Sequence, residues 1–399
     1  MLWYHSIRLE VCRMKKIIYK LYKKMEDQRL AATAFHYLYG VVLPAVSGKY
    51  RPAKYDPRQI SYKREDETEK PLSELKLAVI SDEMTYVNLE GFCRVSFLTP
   101  DNWFRVMEEE QPDVFFCEAA WSGNEAHKDA WRGKIYKNGR LLFENRKVLF
   151  QILDYCRRSG IKTVFWNKED PVYFGDMCHD FADTALHFDY IFTTAAECVE
   201  KYEARGHRQV SVMHFGFSPQ LFDCPAEQEK EDHAIFAGSW YGDHPNRCRD
   251  MEAIFDLLLK MGIPLKIYDR HFGSENPVHR FPEKYHMYIH PAVSYEVLPE
   301  LYRKARFAVN INTETDSETM YARRVHELMA CRCIVISNES KGMRKNFGKN
   351  VWFAGEPFEL EREAEIRSQN YELVMKQYTN HSCFMKMLKE IGFNINENE

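Results

Sequence analysis

From residue 75 onward the chain alternates short apolar runs with amphipathic helical stretches, and it does so in two successive series. That alternation is the pattern of βαβ units around a parallel sheet. The first series predicts strands over 75–81, 113–117, 162–166, 190–193 and 209–214, with a helix over 143–158. The second predicts strands over 233–237, 265–268, 307–311 and 334–337, and helices over 249–261, 298–305 and 321–331. Helices over 359–372 and 382–391 close the chain. Between the series, 217–232 holds Pro219, Pro225 and a charge-dense run from Glu227 to Asp232, which suits a solvated connection. The expected fold is therefore α/β: two Rossmann-like, doubly wound parallel-sheet domains facing a cleft, over 71–218 and 219–399, with a basic helical extension and linker over 1–70.

A chain of 399 residues is too long for one ordinary core, and an apolar content of 45% excludes global disorder. The net charge of -4 gives no case for nucleic acid, but the charge is unevenly spread. Residues 1–60 hold twelve Lys/Arg against four Asp/Glu. The run from Lys15 to Lys24 separates apolar from cationic groups, and is read first as a solvated helix docked on the body. It also offers residues 1–60 as a peripheral contact to the inner face of a membrane. The apolar stretch 30–46 contains His36 and Pro44 and falls short of the about 20 residues a span needs. Eleven scattered cysteines, odd in number and without a leader pattern before them, read as reduced thiols of a cytoplasmic protein.

In doubly wound sheets ligands bind beyond the carboxyl ends of the strands, so the polar residues there are the candidates. Gly238-Ser239 ends the first strand of the second series, where a missing β-carbon lets backbone N–H groups approach a pyrophosphate. Arg247 can bring a guanidinium to the same phosphates. Arg324 and Glu327 stand three apart on one helical face, a cation for diphosphate beside a carboxylate for ribose hydroxyls. In the first series, Glu169-Asp170-Pro171 follows a strand, and Pro171 holds Asp170 extended in the loop, where a carboxylate can take a proton from an attacking hydroxyl. Asp82 and Glu118 add acidic groups on the same edge. The chain has no Asp-x-Asp, which argues against a carboxylate-bound divalent cation. The His271, His279, His286, His290 series and Cys331-x-Cys333 match no zinc spacing and are read as structural.

These residues resemble a family, the bacterial group 1 glycosyltransferases of the two-Rossmann-domain (GT-B) type, in the branch that includes spore-maturation-type proteins. The resemblance runs over about residues 75–380. It is carried by Glu118-Ala-Ala-Trp-Ser-Gly-Asn124, Trp166-Asn-Lys-Glu-Asp-Pro171 and Phe188-Asp-Tyr-Ile-Phe-Thr-Thr194 in the first half. In the second half it is carried by Phe236-Ala-Gly-Ser-Trp-Tyr241 with Arg247, Ala308-Val-Asn-Ile311, and Arg324-Val-His-Glu-Leu-Met-Ala-Cys331. It implies a nucleotide-sugar donor held by Gly238, Ser239, Arg247, Asn310, Arg324 and Glu327, with Glu327 on the ribose. It also implies catalytic carboxylates among Asp170, Glu169, Glu118 and Asp82, no metal or other cofactor, and a glycan, lipid-linked or protein acceptor.

Two positions depart from the family pattern. Related retaining enzymes carry a glutamate eight positions before the ribose-binding one, and here Thr319 stands there with Glu318 beside it. The glycine that usually follows Ala-Cys is Arg332, which would extend the phosphate site or mark a divergent enzyme. The alternatives are a catalytically silent nucleotide- or glycan-binding scaffold and a polyol-phosphate transferase on the same fold.

Overall fold

The structure, a computed structural model, describes residues 50–64, 70–89, 91, 93–393, 395 and 396, together with 33, 34, 37 and 38. The basic helix expected around 15–24, and most of the segment assigned to a membrane contact, lie outside the described residues. The chain divides into two compact units. The first runs to Phe192 and takes in Tyr202–Val210; the second consists of Thr193–Lys201 and Ser211–Ile395.

The sheet of the first unit contains β1 (Lys76–Ile80), β2 (Arg94–Phe97), β3 (Val114–Glu118), β4 (Lys162–Asn167), β5 (Tyr190–Thr193) and β6 (Val210–Val212), in the order β2-β1-β3-β4-β5-β6. β1 pairs in parallel with both β2 and β3, so the direction of winding reverses between β1 and β3. Ligands of doubly wound sheets bind at such a switch point, and Asp82 and Glu118 sit at the ends of these two strands. The helix α1 (Lys147–Ser159) before β4 buries Leu149, Ile152, Tyr155 and Cys156 on one face and ends at Gly160, whose φ of 73° supplies the left-handed cap.

Residues 50–64, expected as part of a linker, are instead a strap laid along this unit with a single turn of 3-10 helix at Pro57–Gln59. The Tyr55 hydroxyl donates to Asp154 (2.6 Å), the Ser61 N–H to Glu108 (3.1 Å) and the Arg64 N–H to the Ser159 carbonyl (2.8 Å). The strap is tied to the unit through backbone N–H groups as well as the Tyr55 side chain.

The sheet of the second unit contains β7 (Glu231–Gly238), β8 (Leu265–Asp269), β9 (Ile289–Pro291), β10 (Ala305–Asn310), β11 (Ile334–Ser337) and β12 (Trp352–Phe353), in the order β9-β8-β7-β10-β11-β12, all parallel. Its interior strands β7, β10 and β11 carry mainly apolar, buried residues because both faces are covered. Ala234 and Phe236 of β7, Phe307 and Val309 of β10, and Ile334 and Ile336 of β11 enter one core, while Ile235, Ala308 and Val335 enter the other. This alternation is the two-residue period of a strand. Each large side chain so buried contributes about 1.5–3 kcal/mol relative to exposure. The switch point here lies between β7 and β10, which places Gly238-Ser239 and Asn310 at its carboxyl edge.

Candidate functional site

In the first unit the four expected carboxylates fall into three environments. Asp82, just past β1, accepts the N–H groups of Trp121 (2.9 Å), Ser122 (2.9 Å) and Gly123 (3.0 Å). Lys168 lies 3.1 Å from both Asp82 and Glu118. Burial pushes the Asp82 carboxyl up, but Lys168 and the three N–H groups outweigh it and hold it below the usual range. Asp82 thus anchors the loop after β3. Glu118 is fully buried and also accepts the Asp82 N–H.

Asp170 departs from its expected role. Its carboxylate is not held out in the loop but is 0% exposed, accepting from Asn167 (2.8 Å) and from the Tyr202 hydroxyl (2.9 Å). A group so enclosed shapes the turn after β4 rather than meeting a substrate hydroxyl. Glu169, like Asp82, is half-buried, and one of its oxygens accepts the Trp121 indole N–H at 2.8 Å. Burial pushes its pKa up, and the nearby Glu118 and Asp82 add to the rise against Lys168 and the indole. A carboxyl raised in this way holds a proton more readily than an ordinary one, which suits it to proton transfer.

In the second unit, Gly238 and Arg324 meet. A β-carbon on Gly238 would stand 2.7 Å from the Phe236 ring and 3.1 Å from both terminal nitrogens of Arg324. The Arg324 guanidinium lies 5.0 Å over the Phe236 ring. Arg324 opens the helix α2 (Arg324–Ala330), whose next six residues are all buried and so fix its start at the end of β7. Arg247, on the helix Pro245–Lys260, donates to the Ser239 carbonyl at 3.0 Å and packs 4.9 Å over Tyr241. Burial pushes the Arg247 guanidinium down to about 10, with the Arg324 and Arg270 charges adding to the shift. Arg324 is lowered by burial, and Arg270 adds to that shift too.

None of Arg247, Arg270 and Arg324 forms an ion pair with a carboxylate among the described residues. The Ser239 hydroxyl, Arg247 Nε and Arg324 Nη1 are buried donors without a protein partner there. Buried donors and cations are ordinarily paired, and leaving them unpaired costs free energy. Two guanidiniums with buried, unsatisfied nitrogens and the unsatisfied Ser239 hydroxyl around one glycine, with the exposed Arg270 adding a third positive charge nearby, therefore describe a site for a multiply charged anion.

Glu327 is 1% exposed and accepts the Tyr295 hydroxyl at 2.6 Å. Burial raises its pKa, while Tyr295, Arg323 and Arg324 oppose the shift. Asn310 is 0% exposed at the end of β10, and its amide donates to Asn312 (3.2 Å) and Ser337 (3.1 Å). Asn310 ties the ends of β10 and β11 together.

The departing positions are structural. The Thr319 hydroxyl donates to the Thr194 carbonyl (2.9 Å) and accepts the Ala196 N–H (2.8 Å), while Glu318 pairs with Lys345. Arg332, expected as a possible extension of the phosphate site, takes the left-handed conformation (φ 54°) just past the opposite end of α2. There the N–H of Cys333 bonds to the Leu328 carbonyl and that of Arg332 to Met329, both at 3.0 Å, closing the helix in the usual double-bonded cap. The Arg332 side chain donates to the Cys224 carbonyl (2.8 Å) and lies 3.7 Å over the Tyr371 ring. It contributes nothing to the anion site. The Cys331 and Cys333 thiols are buried and donate to the carbonyls of Phe222 and Tyr302. Among the described residues no group of three or more His, Cys, Asp or Glu is placed to hold a metal ion. No helix among them is long and apolar enough to cross a membrane.

Sequence reasoning left Lys168, Trp121, Arg270 and Tyr295 without roles. Lys168 and Trp121 lie inside motifs already singled out, and their roles follow only from which carboxylates they touch. A cavity of about 580 Å³ lined by Phe150, Lys162, Thr163, His187 and Asp189 sits at the amino-terminal end of β4, and includes none of the candidate residues.

Residues 252–387 match the family model described as glycosyl transferase-like. The match takes in Arg270, Asn310, Arg324 and Glu327. No curated protein matches the chain. Among solved structures, Alr3699/HepE of Anabaena in complex with UDP-glucose is similar at 11% identity, covering 80% of this chain and 99% of that one with a TM-score of 0.47. An alpha-glucosyltransferase in complex with UDP-glucose and DNA containing an abasic site is similar at 12% identity, covering 80% and 99%, with a TM-score of 0.47. AviGT4, a glycosyltransferase of avilamycin A biosynthesis, is similar at 11% identity, covering 79% and 96%, with a TM-score of 0.41.

Proposed function

We propose that the chain is a metal-independent glycosyltransferase, in which the second unit binds a nucleoside-diphosphate sugar and the first receives the acceptor. The observation that carries this reading is the set of unpaired guanidiniums and donors of Arg247, Arg324 and Ser239 around Gly238 at a switch point. A diphosphate supplies the charge this set lacks, and the family match over 252–387 supports a sugar nucleotide as its source. Glu327 receives the ribose hydroxyls on the same helix, exchanging its bond from Tyr295.

In the proposed reaction an acceptor hydroxyl gives its proton to the Glu169 carboxylate as its oxygen bonds to the anomeric carbon. The bond from that carbon to the diphosphate oxygen breaks, and its electron pair leaves on the diphosphate. Arg247 and Arg324 stabilise that leaving charge, the work a divalent ion does elsewhere. Asp82, Glu118 and Lys168 hold the loop that carries Trp121, and through it Glu169. Asp170 keeps the turn.

The test is transfer itself. Full-length protein is incubated with common nucleoside-diphosphate sugars and a set of glycan, lipid-linked and peptide acceptors in the presence of a chelator, and free nucleoside diphosphate is measured. Release with one donor, lost in Arg324→Gln, is expected. Binding of donors with neither hydrolysis nor transfer would return the chain to the silent scaffold.

A further inference from the structure

Beyond the carboxyl ends of β3 and β4 the first unit carries a cluster of rings of which the reaction above uses only Trp121. Trp121 stands at its centre, with ring centroids 5.7 Å from Tyr136, 5.1 Å from Tyr173, 5.3 Å from His179 and 5.2 Å from Phe181. Phe181 is fully buried and forms the floor, whereas Trp121, Tyr136, Tyr173 and His179 are each only half-buried. The adjoining segment leaves Val172 48% and Met177 67% exposed. The same Trp121 indole that joins the rings donates to Glu169.

Half-buried rings of this kind present an apolar face and a polar edge to one ligand. A pyranose has the matching surface: C–H faces that gain from leaving water against a ring, and a rim of hydroxyls that need acceptors. Charge argues in the same direction. Asp82, Glu118 and Glu169 gather three carboxylates here against the Lys168 ammonium, which is already shared between two of them, and the Arg140 charge near His179. A phosphate-headed acceptor would meet like charge on entry. Burial, with the Arg140 charge adding to it, pushes the His179 imidazole down despite Asp176.

Resting on the transferase reading above, we infer that Trp121, Tyr136, Tyr173 and His179 form the acceptor subsite. It takes the pyranose ring of a neutral sugar and directs one of its hydroxyls at Glu169. The substrate class is then a glycan, rather than a lipid phosphate or a protein side chain.

The test reads the Trp121 indole N–H resonance of isotope-labelled full-length protein, assigned by its loss in Trp121→Phe. Maltose, cellobiose and N,N′-diacetylchitobiose are titrated in, alongside a short-chain prenyl phosphate and a serine-containing peptide. At least one disaccharide is expected to shift the resonance saturably, and Tyr173→Ala to weaken that binding about tenfold. A nucleotide-induced rise in melting temperature, kept in Tyr173→Ala, shows that this variant is folded. Silence from all three sugars, or a shift only with the prenyl phosphate or the peptide, overturns the inference. A sugar-induced shift in a protein that no nucleotide stabilises would leave the subsite standing and remove the donor reading instead.

Discussion

The terminal nitrogens of Arg324 lie 3.1 Å from the point where a β-carbon on Gly238 would stand, so the glycine is what allows the guanidinium to rest on the end of β7. An alanine there meets the Phe236 ring at 2.7 Å and displaces Arg324. Gly238→Ala is expected to weaken nucleoside diphosphate binding by about 10- to 100-fold, the worth of a charge-assisted hydrogen bond. Calorimetric titration of the folded variant checks this, and unchanged affinity would separate Gly238 from the anion site.

Glu169 must be ionised to accept a proton, and its pKa is raised by burial. Transfer should therefore rise with pH through a limb above the ordinary carboxylate range and level off beyond it. Glu169→Gln should lower turnover by about 10²- to 10⁴-fold and abolish the limb. Trp121→Phe removes the indole bond, which favours the charged form, and should move the limb to higher pH. A pH profile of turnover in the three proteins decides the matter.

His326 sets an acid limit on stability. Its ring is fully buried, stacked on Tyr378 at 4.2 Å with its Nε2 3.1 Å from the Tyr321 hydroxyl. Burial, followed by the neighbouring His214, pushes its pKa down to about 3. The unfolded chain binds this proton near pH 6.5. Between the two values the unfolded state holds the extra proton, so stability is fully present above the upper value and lost as pH falls towards the lower. The expected slope is about 1.4 kcal/mol per pH unit. Denaturant midpoints measured from pH 7 to 4.5 should show it, and His326→Leu should flatten this contribution while lowering stability overall.

Arg332 pays for a left-handed backbone with its contacts to Cys224 and Tyr371. Arg332→Ala keeps the strained conformation and loses the contacts, whereas Arg332→Gly loses the contacts and relieves the strain. The glycine variant should be the more stable of the two by about 1 kcal/mol, as read by chemical denaturation. Both should bind nucleotide as the unaltered protein does.

The interior strands were legible because a strand covered on both faces carries consecutive apolar residues, as in Ile334-Val335-Ile336. Arg94–Phe97, Ile289–Pro291 and Trp352–Phe353 were not. The first two are partly exposed and the third is only two residues long, so none leaves an apolar run. The strap over 50–64 resembles a linker in composition, and its attachment depends on partners such as Asp154, ninety-nine positions from Tyr55. The same distance effect governs the site. Asp170-Pro171 is a turn signal in any sequence, but the Tyr202 hydroxyl that encloses Asp170 lies thirty-two positions away. Arg324 and Glu327 were legible because both their spacing and their neighbours are local. Arg270 belongs to no motif and emerges only through the strand order that sets β8 beside β7.

In the proposed reading Arg247, Arg324 and Ser239 bind the diphosphate of a nucleotide without a metal. The most direct measurement is the melting temperature of the full-length protein against uridine, guanosine, adenosine, cytidine and thymidine diphosphates, with and without chelator, in the unaltered chain and in Arg324→Gln. A rise with one nucleotide that survives the chelator and disappears in Arg324→Gln is the predicted result. No rise with any of them, or a rise that the chelator abolishes, would contradict it.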